Sequence, residues 1–202
     1  MVRITLFALG VLFGLSGPVF AANDAWAKSY ELEAKGQYLP AAAALDALAN
    51  KRPANEFVLL RRGWLLYLGG AFDESIKEYT RAMNLNSKSL DARLGLTLPL
   101  LAMQKWDDAA LYARQVLEVA PWQYYAHVRL LVCEEAKRDW NTVYRHAQEV
   151  AQRYPSDPTL QVYLARAAVN LKKTSEARAA YERVLEQVPG HIEATQYLSR
   201  GG

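Results

Sequence analysis

The sequence predicts an all-α fold in which helices stack into a solenoid, and three observations lead to this prediction. The 202-residue chain repeats itself at an interval of 34 residues, so that Trp106 and Pro121 recur as Trp140 and Pro155. In the segment that begins at Trp106, small and apolar residues return at helical spacing and therefore share one face. The prolines recur at a fixed offset, where each would end a helix before the next begins.

The interval holds along the chain without insertion or deletion. The position of Trp106 reads Tyr38, Phe72, Trp106, Trp140 and Thr174, and that of Pro121 reads Pro53, Ser87, Pro121, Pro155 and Pro189. Chance similarity does not keep its register over five copies, so we expect five structural units. Their predicted ranges are 22–55, 56–89, 90–123, 124–157 and 158–191, followed by a partial capping helix at 192–202.

One unit cannot bury its apolar face alone. Ala109 and Ala113 are small enough to let a neighbouring helix approach closely, and they share a face with Trp106 and Val116. Stacking the units would bury a continuous core, and the last unit would need a cover. We expect this cover to consist of Ile192, Thr195 and Leu198.

The segment GGAFDESIKEYTRAMNL, residues 69–85, resembles the tetratricopeptide repeat family. Gly70 stands at the turn, Phe72 opens a second helix, and the inward face consists of Ser75, Tyr79 and Ala82. Other copies are looser, and only the first two keep glycine at the turn. The resemblance implies a right-handed superhelix of five helix–turn–helix units plus a short C-terminal capping helix. It also implies that the first helices line a concave groove and the second helices lie outside.

The groove-lining positions are rich in aromatic residues, with arginines between them. Aromatic side chains and arginine are enriched where proteins bind each other. We therefore predict a groove that binds a partner peptide or helix. The candidate groove residues are Trp26, Tyr30, Phe57, Arg61, Trp64, Tyr67, Tyr125, Arg129 and Arg166. The alternative is that several of them only pack between neighbouring first helices.

Two segments depart from the regular repeat. Gly95 and Pro99 lie inside a predicted helix, where proline removes a backbone hydrogen bond. They would produce either a tolerated local bend or a hinge in the groove. Trp122, Tyr124 and Tyr125 cluster at a loop between units, where they would either pack over the loop or border the groove.

Residues 1–21 are predicted to be a secretory signal. Arg3 precedes an apolar run from Ile4 to Leu15, and Val19-Phe20-Ala21 has the small-residue pattern of a cleavage site. The run is shorter than the roughly 20 residues that span a bilayer. We therefore expect export to the bacterial periplasm, with anchoring in the inner membrane as the alternative. The single cysteine excludes an intrachain disulfide, and exported proteins without disulfides are common in the periplasm.

Charge and motifs argue against several function classes. A formal net charge of +3 is too small to indicate nucleic-acid binding. The three histidines lack the spacing of a metal site, and His127 and Cys133 fall on different sides of one helix, so they do not form a catalytic pair. We expect no cofactor, no metal and no enzymatic activity.

The sequence therefore predicts a scaffold or adaptor of the bacterial cell envelope that binds protein partners. It would contact a membrane only through those partners or through an uncleaved signal. One alternative is a self-assembling structural protein, because the C-terminal cap is thin. Another is a polysaccharide-binding accessory of an export or biosynthesis complex, because aromatic groove residues could stack on sugar rings.

Overall fold

The structure, a computed structural model, describes residues 18–200, with side chains from Asp24 onward. Over this range it contains twelve α-helices and no β-strand. The first helices of the units are α1 (Pro18–Ala34), α4 (Glu56–Leu68), α6 (Leu90–Ala102), α8 (Tyr124–Ala136) and α10 (Pro158–Asn170). The second helices are α2 (Tyr38–Ala43) with α3 (Asp46–Ala49), α5 (Phe72–Leu85), α7 (Trp106–Val119), α9 (Trp140–Arg153) and α11 (Thr174–Gln187). The chain ends in α12 (Ile192–Ser199), and the predicted all-α solenoid is confirmed.

Most of the predicted signal segment lies outside the described residues. Residues 18–21 form the first turn of α1, which continues through the predicted cleavage site to Ala34. None of the described helices is both long enough and apolar enough to cross a bilayer.

A polar side chain caps every first helix after α1. Asn55 accepts hydrogen bonds from the backbone N–H groups of Phe57 and Val58, and Ser89 accepts one from Ala92. The same position before α8, α10 and α12 is occupied by the capping residues Gln123, Asp157 and His191. Each cap satisfies N–H groups that the first helical turn leaves free, a contribution of about 1 kcal/mol. The unit boundaries are therefore stabilised locally as well as by stacking.

The turn between the two helices of a unit adopts a left-handed backbone conformation in all five units. Gly36 and Gly70 have φ angles of 70° and 78°, which glycine adopts without steric cost. Gln104, Arg138 and Lys172 hold φ angles of 58°, 56° and 60° at the equivalent positions. The turn geometry is therefore the same where glycine is absent, although these residues adopt it less readily.

Small residues of the second helices form much of the core. Ala109, Ala113 and Val116 of α7 are fully buried. Ala109 and Ala113 belong to one core cluster, and Trp106 packs against it. The hydroxyl of buried Ser75 donates to the carbonyl of Gly63 at 2.7 Å, which ties α5 to α4. Close approach of the helices therefore depends on short side chains at the contact, as the alanine spacing predicts.

The first unit differs from the others because its second helix is split into α2 and α3. Arg62 of α4 donates to the carbonyl of Ala42 and pairs with Asp46, both near the interruption. Arg81 of α5 donates to the carbonyl of Ala49. Arg62 is thus a second donor to the Ala42 carbonyl, which also accepts from the Leu45 N–H, and Arg81 supplies a donor to the Ala49 carbonyl at the end of α3.

The predicted contact face of the capping helix is confirmed at Leu198 but wrong at Ile192 and Thr195. The residues of α12 that pack on the last unit are Ala194, Tyr197 and Leu198. Ile192 is 72% exposed, and Thr195 is also exposed. Glu193 points inward instead, where it accepts hydrogen bonds from Arg166 and Tyr181. These bonds set the rotation of α12 about its axis and turn Ile192 toward solvent.

Candidate partner-binding groove

Five candidate residues lie together on α1 and α4. Trp26 stacks on Tyr30 and on Phe57, with ring centroids 6.2 and 5.3 Å apart. Trp64 contacts Tyr67 at 5.8 Å. Trp26 and Tyr30 are four residues apart, so they occupy consecutive turns of one helix face. The five rings form what we call the aromatic cluster.

Folding of the chain leaves much of this cluster uncovered. Phe57 is 58% exposed, Tyr30 48% and Trp64 38%. A cavity of about 360 Å³ opens beside them, lined by Tyr30, Phe57, Leu60, Arg61, Trp64, Tyr79 and Asp91. Exposed aromatic surface around a concavity is typical of binding sites. Packing between first helices therefore accounts for only part of the surface of these side chains.

Arg61 forms part of the cavity wall. Its guanidinium lies 4.0 Å from the centroid of the Tyr30 ring, and Nη2 donates to Glu33 at 2.6 Å. The side chain is therefore held between an aromatic ring and a carboxylate, and its charge is neutralised within the chain.

Tyr79 is a cavity residue that the sequence analysis assigned only to the core. It belongs to α5, yet its ring passes between Gly63 of α4 and Gly95 of α6. A Cβ at Gly63 would lie 2.9 Å from the ring, and a Cβ at Gly95 would overlap it. Its hydroxyl has no hydrogen-bond partner among the described residues and is not fully enclosed. Burial raises the pKa of Tyr79, so the hydroxyl remains a donor. The sequence signal for this arrangement is a pair of glycines on adjacent first helices.

Pro99, the other residue of α6 that departs from the regular repeat, does not interrupt the helix. α6 runs from Leu90 to Ala102 through both Gly95 and Pro99, which are buried. The role of Gly95 is to make room for Tyr79.

Tyr125 and Arg129 form a second part of the groove, on α8. The Tyr125 ring is 58% exposed and lies 6.0 Å from the Arg129 guanidinium. Nη1 of Arg129 donates to the hydroxyl of Thr97 at 2.8 Å and to the carbonyl of Leu94. Arg129 thus ties α8 to α6.

Arg166 lies apart from the aromatic cluster and links three helices of the groove face. Its Nη2 donates to Glu193 of α12 at 2.7 Å and its Nη1 to Glu135 of α8 at 3.3 Å. The Tyr181 hydroxyl donates to Glu193 at 2.5 Å. Burial disfavours the charge of Glu193, but the hydrogen bonds from Arg166 and Tyr181 outweigh it and hold the pKa of Glu193 below its ordinary value. The donors of Arg166 and Tyr181 are therefore already hydrogen-bonded within the chain, whereas the rings of the aromatic cluster keep much of their surface exposed.

Two histidines that are distant in sequence meet between α8 and α9. Nδ1 of His127 lies 2.9 Å from Nε2 of His146, and Nδ1 of His146 lies 2.8 Å from Glu134. The described residues contain no group of three or more side chains arranged to hold a metal. Cys133 is buried, and burial raises the pKa of its thiol to about 11.

Comparisons with known proteins agree with this architecture. A tetratricopeptide repeat family model matches residues 135–200. Among proteins of curated function, none matches the sequence. MamA from Desulfovibrio magneticus RS-1 is 16% identical with a TM-score of 0.75, and the alignment covers 85% of this chain and 97% of that one. A tetratricopeptide repeat protein from Parabacteroides merdae is 15% identical with a TM-score of 0.76, over 88% of this chain and 70% of that one.

A thermophilic repeat protein from Thermus thermophilus has a TM-score of 0.65 at 15% identity, over 88% of this chain and 97% of that one. At such identities the likeness establishes the fold alone. A tetratricopeptide repeat model thus matches the last third of the chain, and the fold of the described residues resembles that of solved tetratricopeptide repeat structures.

Proposed function

We propose that the protein is a non-enzymatic scaffold that binds a partner protein in its concave groove. The observation that carries this proposal is the exposed aromatic cluster around the cavity between α1, α4 and α6. Solenoids of this family present an extended concave surface, and rigid aromatic side chains contribute much of the binding energy at protein interfaces. The partner would place an extended peptide or a helix along the first helices.

We place this function in the bacterial cell envelope, with the protein exported to the periplasm. The support is the signal-like sequence of residues 1–21 and the use of a single cysteine, which is buried. Cell fractionation combined with mass spectrometry of the protein's N-terminus would test it. An intact N-terminus in the membrane fraction would favour inner-membrane anchoring, and a cytoplasmic protein would contradict both locations.

A crosslinked pull-down from the native cells tests the groove. The variant Trp64→Ala/Tyr67→Ala removes two rings of the aromatic cluster, and circular dichroism would confirm that it folds. A matched control is Leu111→Ala/Val119→Ala, which removes exposed apolar side chains from the outer helix α7. We expect a partner captured by wild type and by the control but not by the groove variant. Equal capture by all three proteins would place binding elsewhere.

Self-association is a second candidate, favoured by the exposed C-terminal end. Ile192 is 72% exposed on α12, and Val169 and Val188 of the last unit are also exposed. End-to-end stacking of such arrays would be heterologous and open-ended. Light scattering at increasing concentration would detect it, and Ile192→Glu should abolish any growth in mass. A constant monomer mass would exclude this candidate.

The same aromatic cluster could stack on sugar rings, which is the chemistry of a polysaccharide-binding accessory. Affinity electrophoresis in gels that contain polysaccharide separates this alternative from peptide binding. Retardation lost in Trp64→Ala/Tyr67→Ala would favour it over the peptide groove.

A further inference from the structure

Three equivalent repeat positions carry different side chains, with different contacts, at two places in the chain. Glu193, Tyr181 and Arg166 in the last unit and cap correspond to Asp91, Tyr79 and Trp64, each three units earlier in the chain. The C-terminal set is a closed polar contact, because the Arg166 guanidinium and the Tyr181 hydroxyl both donate to the Glu193 carboxylate.

In the N-terminal set the carboxylate and the hydroxyl remain, but the guanidinium is replaced by an indole. Asp91 is exposed and forms no ion pair with any described residue. The Tyr79 hydroxyl also has no partner among the described residues. The cavity of about 360 Å³ lies where these three side chains meet. The second and third units therefore leave unpaired the carboxylate and the hydroxyl that, in the last unit and cap, are hydrogen-bonded to each other and to Arg166.

The lining of this cavity suits a cation. The rings of Tyr30, Phe57, Trp64 and Tyr79 border it, and Asp91 supplies a negative charge. Aromatic faces attract cations by their quadrupole, and guanidinium groups stack on them while donating to a carboxylate.

Two arginines of the chain lie near the cavity, and both are already engaged. Arg61 on the wall is neutralised by Glu33 at 2.6 Å, so its charge opposes an incoming cation only weakly. Arg129 is close enough to affect the pKa of Tyr79, but its Nη1 is directed to the Leu94 carbonyl and the Thr97 hydroxyl. Neither of them donates to Asp91, so that carboxylate remains available to a ligand.

An apolar guest suits the cavity less well. It would cover the carboxylate of Asp91 and the hydroxyl of Tyr79 without giving either a hydrogen-bond partner, which is costly. A guanidinium would give Asp91 a donor and still place its alkyl stem on the rings. The volume lies in the range of ligand pockets, roughly 300–1,000 Å³, so a long side chain fits.

We propose that this cavity binds an arginine side chain of the partner protein, in the place that Arg166 occupies within the last unit. The inference rests on the proposed groove function and specifies its chemistry. The arginine of the partner would donate to Asp91 and stack on Trp64, with the Tyr79 hydroxyl completing the contact.

The probes are three blocked tripeptides, acetyl-Leu-X-Leu-amide, in which X is arginine, lysine or citrulline. Binding is followed by nuclear magnetic resonance shifts of the full chain and by tryptophan fluorescence. We expect the arginine peptide to shift the signals of Trp64 and Asp91 and to bind about tenfold or more tightly than the uncharged citrulline peptide. Lysine should be intermediate because it lacks the planar fork.

Asp91→Asn should abolish the preference for arginine over citrulline. Asp73→Asn, which removes an exposed carboxylate from the outer helix α5, should retain it. Trp64→Arg restores the arginine of the last unit, so it should stabilise the chain through Asp91 and block the arginine peptide.

Equal binding of arginine and citrulline, or a preference that survives in Asp91→Asn, would overturn the inference. Absence of any shift at millimolar peptide would overturn it as well. The proposed groove function is separately measured by the pull-down, so a partner captured through the groove without an arginine preference would leave that function standing.

Discussion

The first two units and the last two units place their helices in the same register but use the groove face differently. In the first two, Tyr30, Phe57 and Trp64 leave aromatic surface open to solvent. In the last two, Arg166 joins α8, α10 and α12 through Glu135 and Glu193. We call these two regions the open end and the closed end. The names refer to the exposed aromatic cluster and to the Arg166 contacts, since Tyr125 of the fourth unit is also 58% exposed.

The comparison shows that a repeat position determines where a side chain lies but not what it contacts. Arg166 closes an ion pair at a position where its equivalent, Trp64, borders a cavity.

The largest effect we predict concerns the floor of the open end. Gly95→Ala places a Cβ against the ring of Tyr79. The ring cannot move away, because Gly63 of α4 lies against its opposite edge. We expect a loss of about 3 kcal/mol in the free energy of unfolding, partly offset by the better helix propensity of alanine. Urea denaturation measures it.

Gly190→Ala is the control, because nothing lies within 4 Å of a Cβ at that position. The double variant Gly95→Ala/Tyr79→Ala should be less unstable than the sum of its single variants, since the truncated side chain removes the clash. Equal stabilities of Gly95→Ala and Gly190→Ala would show that Tyr79 does not pass between the helices.

The closed end should depend on Arg166. Arg166→Gln removes donors to two carboxylates and leaves Glu193 half-buried without its cation, so we expect a loss of about 1–2 kcal/mol. The side chain is partly exposed, which keeps the effect below that of a fully buried pair.

Arg178→Gln on the outer helix α11 is the matched control, since its 4.0 Å contact with Glu182 is exposed. It should cost a few tenths of a kcal/mol. Arg166→Gln/Glu193→Gln should be more stable than additivity predicts. A loss in Arg166→Gln no larger than in Arg178→Gln would mean that the closed end is not held by this contact.

Substitutions in the left-handed turns should change the stability less, and with opposite signs in the second and the fourth unit. Arg138→Gly in the fourth unit should stabilise the chain by about 1 kcal/mol, because glycine adopts the left-handed conformation that Arg138 holds at φ 56°. Gly70→Ala in the second unit should destabilise it by a similar amount, at φ 78°. Thermal and urea denaturation of both variants test this, and changes of the same sign would contradict it.

Much of the fold could be predicted because it follows from a periodic signal. The helices α4, α6, α8 and α10 begin where the repeat interval places units, and the alanines of α7 are buried as their spacing predicts. The left-handed turns at Gln104 and Lys172 could not be read from residue type, since only glycine signals such a turn. The register of the repeat, rather than local chemistry, maintains them.

The details of the site were less accessible from the sequence. The path of Tyr79 depends on glycines of two other helices, and the rotation of α12 depends on Glu193 meeting Arg166 across 27 positions. Such contacts between units have no local signature. The aromatic cluster was predictable as a set, because its members occupy equivalent faces of the two first helices α1 and α4, but the cavity beside it was not.

The smallest effect we predict is a pH dependence from the closed end. Burial lowers the pKa of His127 below its ordinary value of 6.5 and outweighs the opposite effect of the hydrogen bond to the Pro121 carbonyl. His146 also lowers this pKa, whereas Glu149 and Glu134 raise it by less. The unfolded chain therefore takes up a proton at His127 before the folded chain does. Stability should be complete above pH 6.5 and decline as the pH falls below it.

His127→Gln should flatten this decline, measured as the free energy of unfolding by urea between about pH 7 and pH 5. The comparison concerns the slope with pH, so any constant loss from the missing hydrogen bond does not affect it. Glu193, whose pKa is lowered from 4.5, adds a separate loss only below about that value. An unchanged slope in His127→Gln would show that the histidine contact between α8 and α9 does not govern the acid sensitivity of the closed end.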